Sequence, residues 1–240
     1  MGESTLPSSA EAPQQLTPSF NLLKPSMRAI NRNLGTILSL ALIPILGIVA
    51  AFIVFAIAGR NTDTPNPAAS GIGFAFFLAA YVILIVVYPA IYLTLLKSVK
   101  GQEISLSEAF HEGLTYFWRF FGLIILTGLI VGVGLLLLIV PGIIWLRMYW
   151  LAPYYLIDRN LGIGEAMRQS KADSKLYKGP IYGVLGVFVL FGLLGAVPFV
   201  GSIVGTILQF LYYAAPALRY QEISEATGYK PGVIDSTPVA

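Results

Sequence analysis

The chain has 240 residues, of which 56% are hydrophobic and only 11% are charged, and its mean hydropathy is +0.76. Soluble domains carry roughly 25% charged residues, so this composition cannot cover a surface against water and most of the chain is expected to lie in lipid. The formal net charge is only +3, and the sequence has no cysteine, which excludes disulfides, thiolate metal sites and cysteine nucleophiles.

The two ends of the chain are polar. Residues 1–19 are rich in Pro, Ser and Gln and lack a basic segment followed by an apolar one, so they predict a disordered N-terminal tail and not a cleaved signal peptide. Residues 221–240 predict a disordered C-terminal tail in the same way. Residues 20–220 between them predict a single membrane domain.

Six apolar stretches follow in chain order, and a spanning helix needs roughly 20 such residues. The predicted spans are 34–58, 71–96, 120–140, 142–157, 180–197 and 199–218. Pro141-Gly142 and Pro198 predict tight breaks within the second and third pairs of spans. The runs are too long for strands and lack a two-residue alternation, so the fold class is all-α, a polytopic membrane protein with six transmembrane helices.

The basic residues predict the orientation. Nearly all Lys and Arg lie before the first span, between the second and third, between the fourth and fifth, or after the sixth. Arg60 falls on the other side, and Arg147 falls within the fourth span. By the positive-inside rule, this is a multi-pass membrane protein with both termini in the cytoplasm.

An internal repeat is visible in three segments. "YPAIYLTLLKSVKGQEISLSEAF" (88–110) resembles "APYYLIDRNLGIGEAM" (152–167), and "APALRYQEISEA" (215–226) is a weaker copy. The pattern predicts three parallel repeats, each a hairpin of two membrane helices followed by a cytoplasmic segment. The proline positions expected to kink helices are Pro89, Pro141, Pro153 and Pro216.

Short interfacial cytoplasmic helices are predicted at residues 20–33 and 105–117, where apolar and polar side chains alternate at helical spacing. Ser105 and Glu108 fit a capping box that starts the second of them. Glu108 and His111 have the spacing of a di-iron ligand pair, but no second copy exists, so a solvated helix face is the favoured interpretation.

The stretch "LLLLIVPGIIWLRMYWLAPYYLIDRNLGIGEAMRQS" (135–170) resembles the signature of a group of bacterial six-helix membrane proteins. The group includes YciC-like proteins and the membrane domain attached to some glycerophosphodiester phosphodiesterases. The matching elements are Val140-Pro141-Gly142-Ile143, Leu146-Arg147, Ala152-Pro153-Tyr154, Asp158 and Glu165-Ala166. The resemblance extends over residues 20–220. It implies the fold and not an activity, since catalysis in those phosphodiesterases belongs to a separate soluble barrel.

Arg147 is the charged residue that most suggests a site. Counted from Gly142, it lies ~8 Å below the outer surface. It either snorkels to lipid phosphates or is paired structurally, or else it points into the bundle and binds an anion or a lipid headgroup. The spans hold no Asp or Glu that could pair with it. The candidate lipid, anion or structural site comprises Arg147, Gln209, Trp145, Tyr149 and Trp150.

Tyrosines and glycines recur within the spans. Tyr81, Tyr88 and Tyr92 share one helix face, which is either an interfacial belt or the lining of a polar cavity. Gly128-x-x-x-Gly132 and Gly201-x-x-x-Gly205 are small-residue faces that let helices approach closely, within one chain or between chains.

Two functions remain from the sequence. The first is a non-catalytic integral membrane protein that organises lipid or a partner protein, with membrane lipids, a second copy or another membrane protein as partners. The alternative is a small transporter or channel for an anionic or amphipathic solute, using Arg147 and a tyrosine-lined inner cavity. No catalytic, cofactor-binding or metal site is predicted, and the bases are too few and too mixed with acids to bind nucleic acid.

Overall fold

A computed structural model describes residues 16–60 and 67–228. Within these two ranges the regular structure is helical, a 3-10 helix at Ser19–Leu22 followed by ten α-helices. These are α1 (Leu23–Arg32), α2 (Leu34–Arg60), α3 (Pro67–Val99), α4 (Leu106–Leu137), α5 (Ile139–Tyr149), α6 (Ala152–Asp158), α7 (Ile163–Leu176), α8 (Lys178–Gly195), α9 (Val200–Leu211) and α10 (Ala215–Ala226).

Five stretches of the described chain are long and apolar enough to cross a membrane, which indicates a membrane-embedded, all-helical protein. They are Leu34–Val54, Phe74–Val99, Leu106–Leu137, Lys178–Gly195 and Val200–Ala226. The last of them contains two helices, α9 and α10, which a turn at residues 212–214 separates. Helix α10 runs to Ala226, past the predicted end of the membrane domain.

The fourth predicted span, 142–157, is not one continuous helix. Helix α5 ends at Tyr149 and α6 begins at Ala152. Their 11 and 7 residues extend about 16 and 10 Å at 1.5 Å per residue, which is less than the roughly 30 Å of a bilayer core. Pro153 explains the break, because it has no N–H to continue α5 and instead occupies the first turn of α6.

The other three prolines occupy different helical positions. Pro216 lies in the first turn of α10, as Pro153 does in α6, whereas Pro89 lies inside the continuous helix α3. Pro141 lies in the first turn of α5, where a helix does not use the N–H that proline lacks. The break before α5 falls at Leu138, whose backbone is extended (φ −161°, ψ 141°).

The second predicted interfacial helix and the third span form one helix, α4. The capping box is confirmed, since Ser105 Oγ accepts from the Glu108 N–H at 3.3 Å and Glu108 Oε2 accepts from the Ser105 N–H at 3.0 Å. No proline follows to end the helix, so it continues to Leu137. The helix predicted within 20–33 is confirmed as the 3-10 helix and α1.

Consecutive helices make the most extensive contacts: α2 with α3 and α4 with α5 first, followed by α3 with α4 and α8 with α9. The predicted break at Pro198 separates α8 from α9. A methyl group at Gly205 would overlap the backbone of Gly195, so the Gly201–Gly205 face packs closely against α8, as predicted. A methyl at Gly128 or Gly132 would meet nothing within 4 Å, so that face contacts no other described helix.

The buried core lies at one end of these hairpins. The C-terminal half of α3, together with α6 and α10, forms its centre, and α1, α7 and the N-terminal part of α4 pack around it. Leu156 and Tyr220 there are fully buried, whereas Leu136 and Phe199 near the opposite ends are 88% and 85% exposed. We expect the exposed apolar ends of the hairpins, opposite the core, to face lipid.

We expect Gly205→Ala to lower the free energy of unfolding by roughly 1–3 kcal/mol, because the new methyl must push α9 away from the Gly195 backbone. Gly128→Ala is the matched control and should leave stability unchanged or slightly raised. Thermal unfolding in detergent micelles, followed by circular dichroism, measures both. Equal stability of the two variants would contradict the close α8–α9 contact.

Candidate functional site

Asp158, at the end of α6, connects three distant parts of the chain. Its side chain is 7% exposed and forms an ion pair with Lys100, which follows α3. The Tyr220 hydroxyl, from α10, donates to Asp158 Oδ2 at 2.8 Å. One buried carboxylate thus joins the ends of all three hairpin units.

Further buried polar groups pair close to this carboxylate. The Tyr155 hydroxyl donates to Asp173 of α7. Arg219, only 1% exposed, donates to Glu222 at 2.6 Å and to the Thr17 carbonyl at 2.8 Å. Burying a charge is costly unless it is paired, and these pairs satisfy much of that requirement.

Tyrosine rings fill the space between these pairs. The Tyr92 ring centroid lies 5.1 Å from that of Tyr154, which in turn lies 5.8 Å from that of Tyr220. Tyr155 meets Tyr220 edge-on at 4.8 Å. These tyrosines therefore form a packed aromatic layer at the core end of the bundle.

Two adjacent cavities lie beside this layer. One, of about 460 Å³, lies between α3 and α4, and the other, of about 370 Å³, lies between α4 and the α5–α6 segment. Both include Tyr92 and Ile124 in their walls. We call them together the lateral groove, and its main lining residues are Tyr81, Tyr88, Tyr92, Phe121, Ile124, Gly128, Gly132, Leu135, Tyr149 and Trp150.

The lateral groove is mainly apolar, with tyrosine side chains in its wall. The hydroxyl of Thr127, which also lines it, already donates to the Leu123 carbonyl of its own helix at 2.7 Å. Tyr81, Tyr88 and Tyr92 do share one face of α3, as predicted, and that face lines the groove. Many of the residues around it, such as Leu129, are exposed apolar side chains.

The residues predicted as one site do not converge. Tyr149 and Trp150 line the groove, and the buried indole Nε1 of Trp150 has no hydrogen-bond partner among the described residues. Trp145 is half-buried and packs over Gly134, whereas Gln209 is exposed on α9.

Arg147 lies inside the protein, with 4% of its surface exposed. Its Nη1 donates to the Ser174 carbonyl at 2.7 Å, and its guanidinium lies 5.0 Å from the Tyr182 ring centroid. Ser174 is in the last turn of α7, where carbonyl groups carry partial negative charge. The side chain therefore points toward the α7–α8 junction and not toward Gln209 or the opposite end of the hairpins.

Sequence reasoning missed the polar network around Asp158. It interpreted Lys100, and the charged residues that follow Pro153 and Pro216, only as residues on the cytoplasmic side of the spans. The available signal was that each proline segment ends in charged residues of both signs, such as Asp158-Arg159 and Arg219 with Glu222. Charges of opposite sign near the ends of these helices indicate that some of them are paired.

A model of an uncharacterised protein family, UPF0259, matches residues 69–178. The matched region runs from α3 to the first residue of α8 and includes Arg147, Asp158 and the lateral groove. No solved structure matches the chain. The chain is thus similar, over its middle region, to an uncharacterised family of proteins.

We expect Asp158→Asn to destabilise the protein by about 3 kcal/mol, because it leaves Lys100 without its buried counter-charge. Glu112→Gln is the control, because it breaks the more exposed ion pair between Glu112 and Lys97. It should lower the free energy of unfolding by about 0–1 kcal/mol. Unfolding by heat in detergent compares them. A similar loss in both variants would show that the Asp158 contacts are not structurally special.

Proposed function

We propose that this is a non-catalytic integral membrane protein of the bacterial cell membrane that retains membrane lipid, with acyl chains held in the lateral groove. The observation that carries the proposal is the pair of adjacent, mainly apolar cavities that share Tyr92 and Ile124 in their walls. Their volumes, about 460 and 370 Å³, fall in the range of roughly 300–1,000 Å³ that is usual for ligand pockets.

The groove is open because α4 presents glycines where another helix would otherwise pack. A methyl group added at Gly128 or Gly132 would have no neighbour within 4 Å among the described residues, although small-residue faces usually admit a close helix. In a bilayer, hydrocarbon must fill this space. Trp150, whose buried indole N–H has no partner in the described part of the chain, lies in the wall of this space.

The proposed topology has six crossings arranged as three parallel repeats, with both termini in the cytoplasm. The α5–α6 segment would be the fourth crossing, a broken one. Each repeat would consist of an amphipathic helix or helical segment, an apolar hairpin and a proline-bearing helix that enters the common core. The packing of α3, α6 and α10 against one another, and the one-sided distribution of Lys and Arg, support this arrangement.

Transport receives less support from the geometry. A solute path would need polar groups that are free to contact the solute. Lys100 and Tyr220 are instead both bonded to Asp158. The aromatic layer closes the core end of the bundle, and Arg147 is engaged with Ser174 away from the groove. The lipid-retaining function is therefore the one that we propose.

We expect a Gly128→Leu, Gly132→Leu double variant to retain fewer phospholipids than the wild type, because leucine side chains would occupy the groove. Gly186→Leu on α8, which also has open space around it but does not line the groove, is the matched control. Native mass spectrometry of the detergent-purified proteins counts the bound lipids.

Loss of lipid from the double variant alone would support the groove. Equal lipid retention by all three proteins, or no lipid on the wild type, would overturn the proposal. Melting temperatures of the three proteins would identify a loss that is caused by misfolding.

A further inference from the structure

Helix α7 carries basic side chains along one face. Arg168, Lys171 and Lys175 follow at spacings of three and four residues and are all exposed, and Lys178 begins α8 directly after them. The opposite face of α7, which includes Ser170, is buried. The exposed acid of α7, Glu165, lies in its first turn, at the other end from Lys175.

Arg147 adds a buried positive charge beneath this end of α7. No carboxylate within residues 16–60 and 67–228 forms an ion pair with it, and its Nε has no hydrogen-bond partner there. Asp173, the acid next to Ser174, instead accepts from Tyr155 and, at 3.3 Å, from Gln169. The Ser174 carbonyl and the Tyr182 ring offset the guanidinium charge only in part.

The result is a region of positive potential at the α5–α7–α8 junction. A guanidinium remains charged at every physiological pH, and a charge in a low-dielectric interior is screened less than one in water. Lys175 and Lys178 are exposed at the same junction. Lys175 directly follows Ser174, and Lys178 lies one turn before Tyr182. We call Lys175, Lys178, Tyr182 and the underlying Arg147 the basic corner.

We propose that the basic corner binds the phosphate-bearing headgroup of an anionic phospholipid, an inference that rests on the proposed lipid-retaining function and names the class of lipid. The two lysine ammonium groups contact the phosphate, and the Tyr182 hydroxyl donates a hydrogen bond to it. Arg147 does not touch the headgroup. Its charge raises the positive electrostatic potential around the two lysines and so favours an anionic over a zwitterionic lipid.

The position of the basic corner in the chain favours a membrane lipid over an acidic protein. Lys178 is the first residue of the apolar stretch Lys178–Gly195, so it lies where that helix would enter the bilayer. Tyr182 is one turn further along α8 and is 36% exposed. A lipid headgroup reaches this depth from within the membrane, whereas a soluble protein surface would have to displace lipid.

The test uses the full chain in detergent, titrated with dioleoylphosphatidylglycerol, dioleoylphosphatidylcholine or sn-glycerol 3-phosphate and observed by native mass spectrometry. Lys175→Gln, Lys178→Gln removes two charges at the basic corner. Lys24→Gln, Arg28→Gln removes the same charge from exposed positions on α1 and is the matched control. Each lysine near an anionic surface strengthens binding by about 1 kcal/mol, which is slightly more than fivefold in affinity. The Lys175→Gln, Lys178→Gln variant should therefore bind phosphatidylglycerol roughly thirtyfold more weakly than the wild type.

The expected result is tighter binding of phosphatidylglycerol than of phosphatidylcholine by the wild type, lost in the α7–α8 variant and kept in the α1 variant. Equal weakening in both variants would overturn the proposal, because binding would then follow overall charge. Equal binding of both lipids by the wild type would overturn it as well and leave lipid retention standing. Binding of sn-glycerol 3-phosphate with the affinity of the lipid would assign the corner to a free phosphate instead.

Arg147→Gln supplies a second measurement. It should reduce the preference for phosphatidylglycerol while the lysines remain, and its melting temperature shows whether the fold persists. If no lipid of either kind stays bound to the wild type, the lipid-retaining function itself fails, together with this inference.

Discussion

The buried carboxylate of Asp158 is the constraint on which the arrangement of the helices depends. Its partners, Lys100 and Tyr220, come from segments far away in the chain, so the bond network forms only when α3, α6 and α10 meet. A buried charge without its partner is strongly destabilising, which penalises any arrangement that separates these helices. Hydrophobic burial cannot supply this specificity in a membrane, since lipid tails are as apolar as the side chains they would replace.

This constraint divides the molecule into two regions with different packing. At the core end, tyrosine rings and paired charges hold proline-bearing helices together, and little space remains. Towards the opposite end, the hairpins contact one another much less and expose side chains such as Leu136 to the surroundings. The lateral groove begins where the two regions meet, at Tyr92, and the glycines of α4 leave space along its wall. A surface of this kind suits a protein that holds lipid more than one that moves solute.

The sequence was most informative where local chemistry decides the structure. Three features that depend on residues close by in the chain were all predicted. They are the capping box at Ser105, the break at Pro198 and the close approach of Gly205 to the preceding helix. It was least informative for Arg147. The partner of its guanidinium is the backbone carbonyl of Ser174, which has no signature in the sequence. The charges around Asp158 were visible, but their pairing spans up to 62 residues and cannot be read from spacing.

The amino-acid sequence by itself determined that the chain is helical, apolar and built for lipid, because composition and run length fix how much surface can face water. It also determined where helices begin and end, since proline, glycine and capping residues act within one turn. Only the tertiary structure decided that Arg147 faces α7 and that the open glycines line a groove. These features depend on which distant helix lies opposite each residue, and in a membrane many apolar faces could fill that place equally well.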